Sequence, residues 1–223
     1  MEGILLGGGK SLHLFSHDLV WGCRHYAKEA QQSQHPYGTF LANLSCILFG
    51  SSFVEARLNQ LSAEMIASGD APKVPLAFWR TLHDIRKTLK VEDKWNLIAS
   101  VSNGMLWDSS RVPFQSYDQI INLRNELVHY KGEYATVSKL PANRLKALLT
   151  KFKGPGFSIP GRPPKWISQL LTAKKLGSWI SATIDDFDMN FDHYLTGMEM
   201  TKLEEDIYKH LNDARHDPFR MTT

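Results

Sequence analysis

The chain has little cysteine: Cys23 and Cys46 are the two present, and neither stands in a C-x-x-C or other ligand spacing. That excludes a disulfide framework and a cysteine-built zinc module, and predicts two reduced core thiols in a cytosolic protein. Stretches that alternate apolar and polar residues are missing, so no sizeable sheet is expected. Internal repeats are missing too, which excludes a solenoid. Nothing at the start resembles a signal peptide, since Ile4-Leu5-Leu6 is short and no basic residue precedes it.

Two near-motifs lack what they need. Gly9-Lys10-Ser11 would close a phosphate-binding loop, but the first glycine of that pattern would have to stand where Ile4 is, with no strand before it. Asp186-x-Asp188-x-Asn190 starts like a calcium loop, yet the sixth position is Phe191 and the twelfth is Gly197. His13 and His17 are four apart, with no third metal ligand nearby. The sequence therefore predicts no metal site and no cofactor.

Acidic residues are absent from one long stretch. Between Tyr134 and Ile184 there are nine basic residues and no Asp or Glu, against a net charge of +3 for the whole chain. They include Lys139, Arg144, Lys146, Lys151, Lys153, Arg162 and Lys165, followed by Lys174 and Lys175. Such a segment is an electrostatic footprint for a polyanion such as RNA; a solvated face that keeps the chain soluble is the other reading.

What is present is helical patterning on an ordinary globular composition, 43% hydrophobic and 22% charged over 223 residues. That length suits one domain. We divide it into a poorly patterned segment over 1–16, a helical domain over 17–197 and a terminal helix with a polar tail over 198–223. Helices are expected over 18–32, 37–67, 76–89, 93–103, from 114 to near Gly132, over 141–152, in one piece over 165–195, and over 201–214. The Pro- and Gly-rich run 153–164 must be a loop. Trp95 and Trp107 read as core aromatics.

The second helix is the longest and most apolar. Its uncharged stretch from Tyr37 to Val54 contains Asn43, Ser45, Ser51 and Ser52 and runs into Glu55-Ala56-Arg57. That fits a buried central helix better than a bilayer span, so no membrane association is expected. Phe40, Leu41, Leu44, Ile47, Leu48, Leu58 and Met65 share one arc, with Glu55 near its centre and Asn59 one turn on. A carboxylate facing inward there needs a partner.

The chain is organised around Phe114 to Tyr134. Ile120, Ile121, Leu123, Leu127, Val128 and Tyr130 make an apolar arc that takes in Arg124, while Asn125 and His129 stack on the polar side. An inward guanidinium needs an acid or an anion. Glu55 is the natural candidate, and a Glu55–Arg124 contact is expected. His129 titrates near neutrality.

Arg124-Asn125-x-x-x-His129 late in a helix of an all-helical protein resembles the Arg-polar-x(3–5)-His signature of HEPN domains. Here His-Tyr-Lys closes the motif, not the His-x-Tyr of one toxin subgroup. The resemblance implies an all-α bundle of HEPN type, with a long central helix and added C-terminal helices. It also implies a metal-independent endoribonuclease of the toxin or phage-defence kind, with Arg124, Asn125 and His129 catalytic and Glu55, Asn59 and Tyr130 supporting.

Cleavage would proceed by attack of a 2′-hydroxyl on the adjacent phosphate, with His129 as acid or base and Arg124 on the phosphate oxygens. Arg124 and His129 lie about 140° apart around one helix. A symmetric homodimer with two converging helices brings them together more easily than a monomer does. RNA and an antitoxin or defence-system protein are the expected partners. A non-catalytic HEPN nucleotide-binding or assembly module, or the neutralising partner of another protein's activity, is the alternative.

Overall fold

Pro36 occupies the first turn of the longest element, where a missing N–H costs nothing. The computed structural model describes residues 3–6, 10–13, 15–68, 74–128, 143–157 and 165–196. Eight helices lie within them: α1 Phe15–Gln32, α2 Pro36–Ser68, α3 Leu76–Ile85, α4 Val91–Ser102, α5 Phe114–Val128, α6 Asn143–Lys151, α7 Trp166–Leu171 and α8 Lys174–Thr196. The fold is all-α apart from a short hairpin of β1 Gly3–Leu6 and β2 Lys10–His13, antiparallel with Gly3 opposite His13 and Leu6 opposite Lys10. The hairpin lies within the segment read as poorly patterned over 1–16, since strands of four residues are too short to show a period. The helix expected over 201–214 lies outside the described residues.

Where one domain over 17–197 is expected, the chain divides into two compact units. One comprises Leu14–Arg57 and Asp108–Asp185, the other Met1–His13, Leu58–Trp107 and Asp186–Thr223.

In the unit of Leu14–Arg57 and Asp108–Asp185, α2 buries a face that mixes small residues with Ile47, Phe53 and Val54. Ala42, Asn43, Cys46, Ile47, Gly50, Ser51, Phe53 and Val54 are all buried, whereas Leu41 and Leu48 are each 43% exposed. Of the expected arc Ile47 is buried, as is Leu58 in the other unit, while Leu41 and Leu48 fall outside the buried face. A helix apolar all round gives no periodic signal for which side is covered. Close approach of neighbours decides it: a Cβ on Gly50 would lie 3.0 Å from Ile180 of α8, and one on Gly177 would lie 2.8 Å from Asn43 Oδ1. Arg24 Nε of α1 meets Asp185 Oδ1 of α8 at 2.6 Å. By length and composition α2 could cross a membrane, and half of its most apolar window is buried in the protein.

The helix expected in one piece over 165–195 is two. Thr172 ends α7 with φ −91° and ψ 5°. Its hydroxyl donates back to the Ser168 carbonyl at 2.7 Å and accepts the Gly156 N–H at 2.8 Å. Asn43 Nδ2 donates to the carbonyls of Leu171 at 2.8 Å and Ala173 at 3.0 Å. The break is thus satisfied by tertiary partners, which the pattern of Leu170, Ala173, Leu176 and Ile180 does not reveal.

The other unit centres on Trp95, which is fully buried. Its ring meets Trp107, Phe187 and Phe191 edge-to-face at 5.8, 5.8 and 5.6 Å, and its Nε1 donates to the Met105 carbonyl at 2.7 Å. The core reading of Trp95 and Trp107 holds. Asn103 ends α4 in the left-handed region at φ 59°, and Gly104 N closes the turn on the Ala99 carbonyl at 2.8 Å. Gly104 is required there, since a Cβ would come within 1.9 Å of the Leu195 carbonyl oxygen. On α3 the buried pair is Trp79 and Leu82, and Ile85 is 39% exposed.

Candidate functional site

α5 follows Pro113 and buries Phe114, Tyr117, Ile120 and Leu123, three residues apart at each step. Arg124 comes at the tail of that stripe and is half-buried, as are Asn125 and Leu127; Val128 is 53% exposed, outside the expected arc. Arg124 Nη1 donates to the Asn125 Oδ1 at 3.0 Å. Adjacent residues on a helix do not face each other, so this bond needs the long arginine side chain to swing back along the surface. It orients the guanidinium fork and presents it beside a neutral amide. His129 and Tyr130, the remainder of the motif, lie outside the described residues.

Glu55 is exposed, not inward as expected. It follows Leu41 and Leu48 at intervals of seven, on the same outer stripe of α2. The charges of Glu55 and Arg124 both act on Tyr117. The phenol is buried and its hydroxyl donates to the Ser51 carbonyl at 2.7 Å. Burial first, and then the Glu55 carboxylate, push its pKa well above the ordinary tyrosine value, while the Arg124 charge works the other way. Tyr117 is therefore a neutral donor that fixes α5 against α2.

Asn59 belongs to the other unit, where its Oδ1 accepts a hydrogen bond from Lys94 Nζ at 3.2 Å. Lys94 is 2% exposed, a buried lysine that the sequence reading missed. Glu92 and Asp93 precede it in a run that looks like a solvated helix start, so no local signal marks it.

The basic residues separate into groups. Lys139 and Arg162 lie outside the described residues, and Arg144 sits on α6 with its side chain outside them. Lys146 and Lys165 are exposed on α6 and before α7. Lys151 and Lys153 line a cleft of ≈ 480 Å³ together with Lys174 and Lys175, which the sequence places more than twenty residues away. Among the described residues no group of three His, Cys, Asp or Glu comes together as a metal cluster. The aspartates of the near-calcium motif lie within α8, where Asn190 Nδ2 donates to Asp186 Oδ1 at 2.9 Å. No protein-family model, curated protein or solved structure matches this chain.

Proposed function

We propose that the chain is an endoribonuclease of HEPN type, cleaving RNA without a metal through Arg124, Asn125 and His129, as a toxin or phage-defence effector. The observation that carries this reading is the Arg124–Asn125 pair on α5. A half-buried guanidinium held at 3.0 Å by the amide beside it is oriented, and a planar fork with five N–H donors matches two oxygens of a phosphate. The polar residue after the arginine thus has a physical role: it aims the cation. Tyr117, two turns earlier on α5, anchors the helix to the Ser51 carbonyl of α2.

In this reading Arg124 stabilises charge on the pentavalent transition state, and His129 transfers the proton of the attacking 2′-hydroxyl or of the leaving oxygen. In this reading two protomers with converging α5 helices make the site, since a spacing of five residues corresponds to about 140° of helical rotation, too far around for one helix to bring both groups to one phosphate.

The test is cleavage of a mixed RNA pool in EDTA by purified wild type and by His129→Ala. Loss of cleavage in the variant alone, with both proteins folded and of equal size in solution, supports the reading. No cleavage by either protein overturns it in favour of a binding or assembly module.

A further inference from the structure

We infer that the cleft at the start of α2 and α8 is a binding site for single-stranded nucleic acid, with lysines on the phosphates and the rings of Tyr37 and Phe157, backed by Phe40, under the bases. Lys151 and Lys153 reach it from the end of α6 and the connector beyond, Lys174 and Lys175 from the first turn of α8. All four are exposed, and no carboxylate is among the lining residues. His35 lines the same cleft.

The fold builds this convergence on purpose-made contacts. Gly154 N donates to the Gln169 carbonyl at 2.8 Å, and a Cβ at Gly154 would lie 2.3 Å from the backbone of Thr172. The connector after α6 is thereby pressed onto the α7–α8 break. That seats Lys153 opposite Lys174 and Lys175, bringing distant parts of the basic segment to one place.

Beside the lysines lie three rings. Tyr37 follows the lining residue Pro36, and Phe157 comes two residues after the lining residue Pro155. Tyr37 and Phe40 are parallel at 6.4 Å, and Phe157 packs against them at 6.1 and 5.3 Å. Tyr37 is 61% exposed and Phe157 36%. Exposed rings beside a groove of cations are what an unpaired strand needs: stacking surface for splayed bases and charge for the backbone. A duplex keeps its base faces covered and has no use for the rings. A flat anionic membrane does not enter a concave cleft.

This site stands independently of the cleavage reading, and the probe keeps the two apart. A fluorescently labelled single-stranded DNA lacks the 2′-hydroxyl, so its binding, followed by anisotropy with the full chain, does not depend on catalysis. We expect the single strand to bind more tightly than the matching duplex. Lys151→Glu or Lys174→Glu should weaken binding about tenfold and flatten its salt dependence by roughly one ion per lysine. Tyr37→Ala or Phe157→Ala should weaken it about tenfold at unchanged salt slope. All four side chains are exposed, so the variants should keep the wild-type circular dichroism.

Absence of binding by the wild type overturns the proposal, as does binding that none of the four variants weakens. Inorganic pyrophosphate competing as well as the strand does would also overturn it, reducing the cleft to a small-phosphate site. So would capture by phosphatidylserine vesicles without capture by DNA.

Discussion

Asn43 Nδ2 donates to the backbone carbonyl of Ala173 at 3.0 Å, and through the same nitrogen to Leu171 at 2.8 Å. One buried amide thus serves both sides of the α7–α8 break. Asn43→Leu keeps the approximate volume and strips both bonds, leaving the Leu171 carbonyl without this donor and the Ala173 carbonyl with the Leu176 N–H alone. We expect a loss of about 2–4 kcal/mol in urea unfolding, with the midpoint falling at unchanged m. A loss below about 0.5 kcal/mol would show that water or a backbone shift satisfies the break.

The two thiols should be inert in the folded protein. Cys23 and Cys46 are fully buried with their Sγ atoms 3.3 Å apart, and the hydrogen bond to Cys46, ahead of burial, pushes the Cys23 thiol up. Reactivity follows the thiolate. With dithionitrobenzoate at neutral pH, neither should react natively, and both should react in denaturant. Rapid native modification would mean that α1 and α2 separate readily.

Alkaline pH should destabilise the protein partly through Tyr117. Its folded pKa lies above the unfolded value, because burial and then Glu55 disfavour the phenolate. The folded chain therefore binds this proton more tightly than the unfolded chain. Its contribution is fully present below the unfolded pKa of about 10 and is lost as pH rises beyond it. Cys23 acts in the same direction from its own, lower, unfolded value. Denaturant midpoints measured across that range should decline less steeply in Tyr117→Phe than in wild type. Parallel declines would place the titration elsewhere.

If the composite site is correct, cleavage should depend on concentration. Arg124→Ala and His129→Ala should each lower the rate by roughly 10²- to 10⁴-fold. The specific activity of the wild type should fall on dilution in step with dimer dissociation seen by sedimentation. Constant specific activity down to a monomeric sample would refute the dimeric site.

Much of the helical layout could be read along the chain. The bounds of α1, α2 and α4 follow from Pro36, Gly104 and the spacing of apolar residues. Which side of α2 is covered could not be read. Leu41 and Leu48 are as apolar as Ile47, and the burial of Asn43, Cys46 and Gly50 depends on how near α8 comes. The same fact turns Glu55 outward.

By itself the sequence determined the all-α class, the helix spans and the local motif Arg124-Asn125-x-x-x-His129, since each depends on neighbours within a turn or two. Tertiary structure decided three other things: the α7–α8 break held by Asn43, the burial of Lys94, and the meeting of Lys151 and Lys153 with Lys174 and Lys175. Each rests on groups far apart in sequence, where the satisfaction of buried polar atoms and the fit of small residues outweigh local preference.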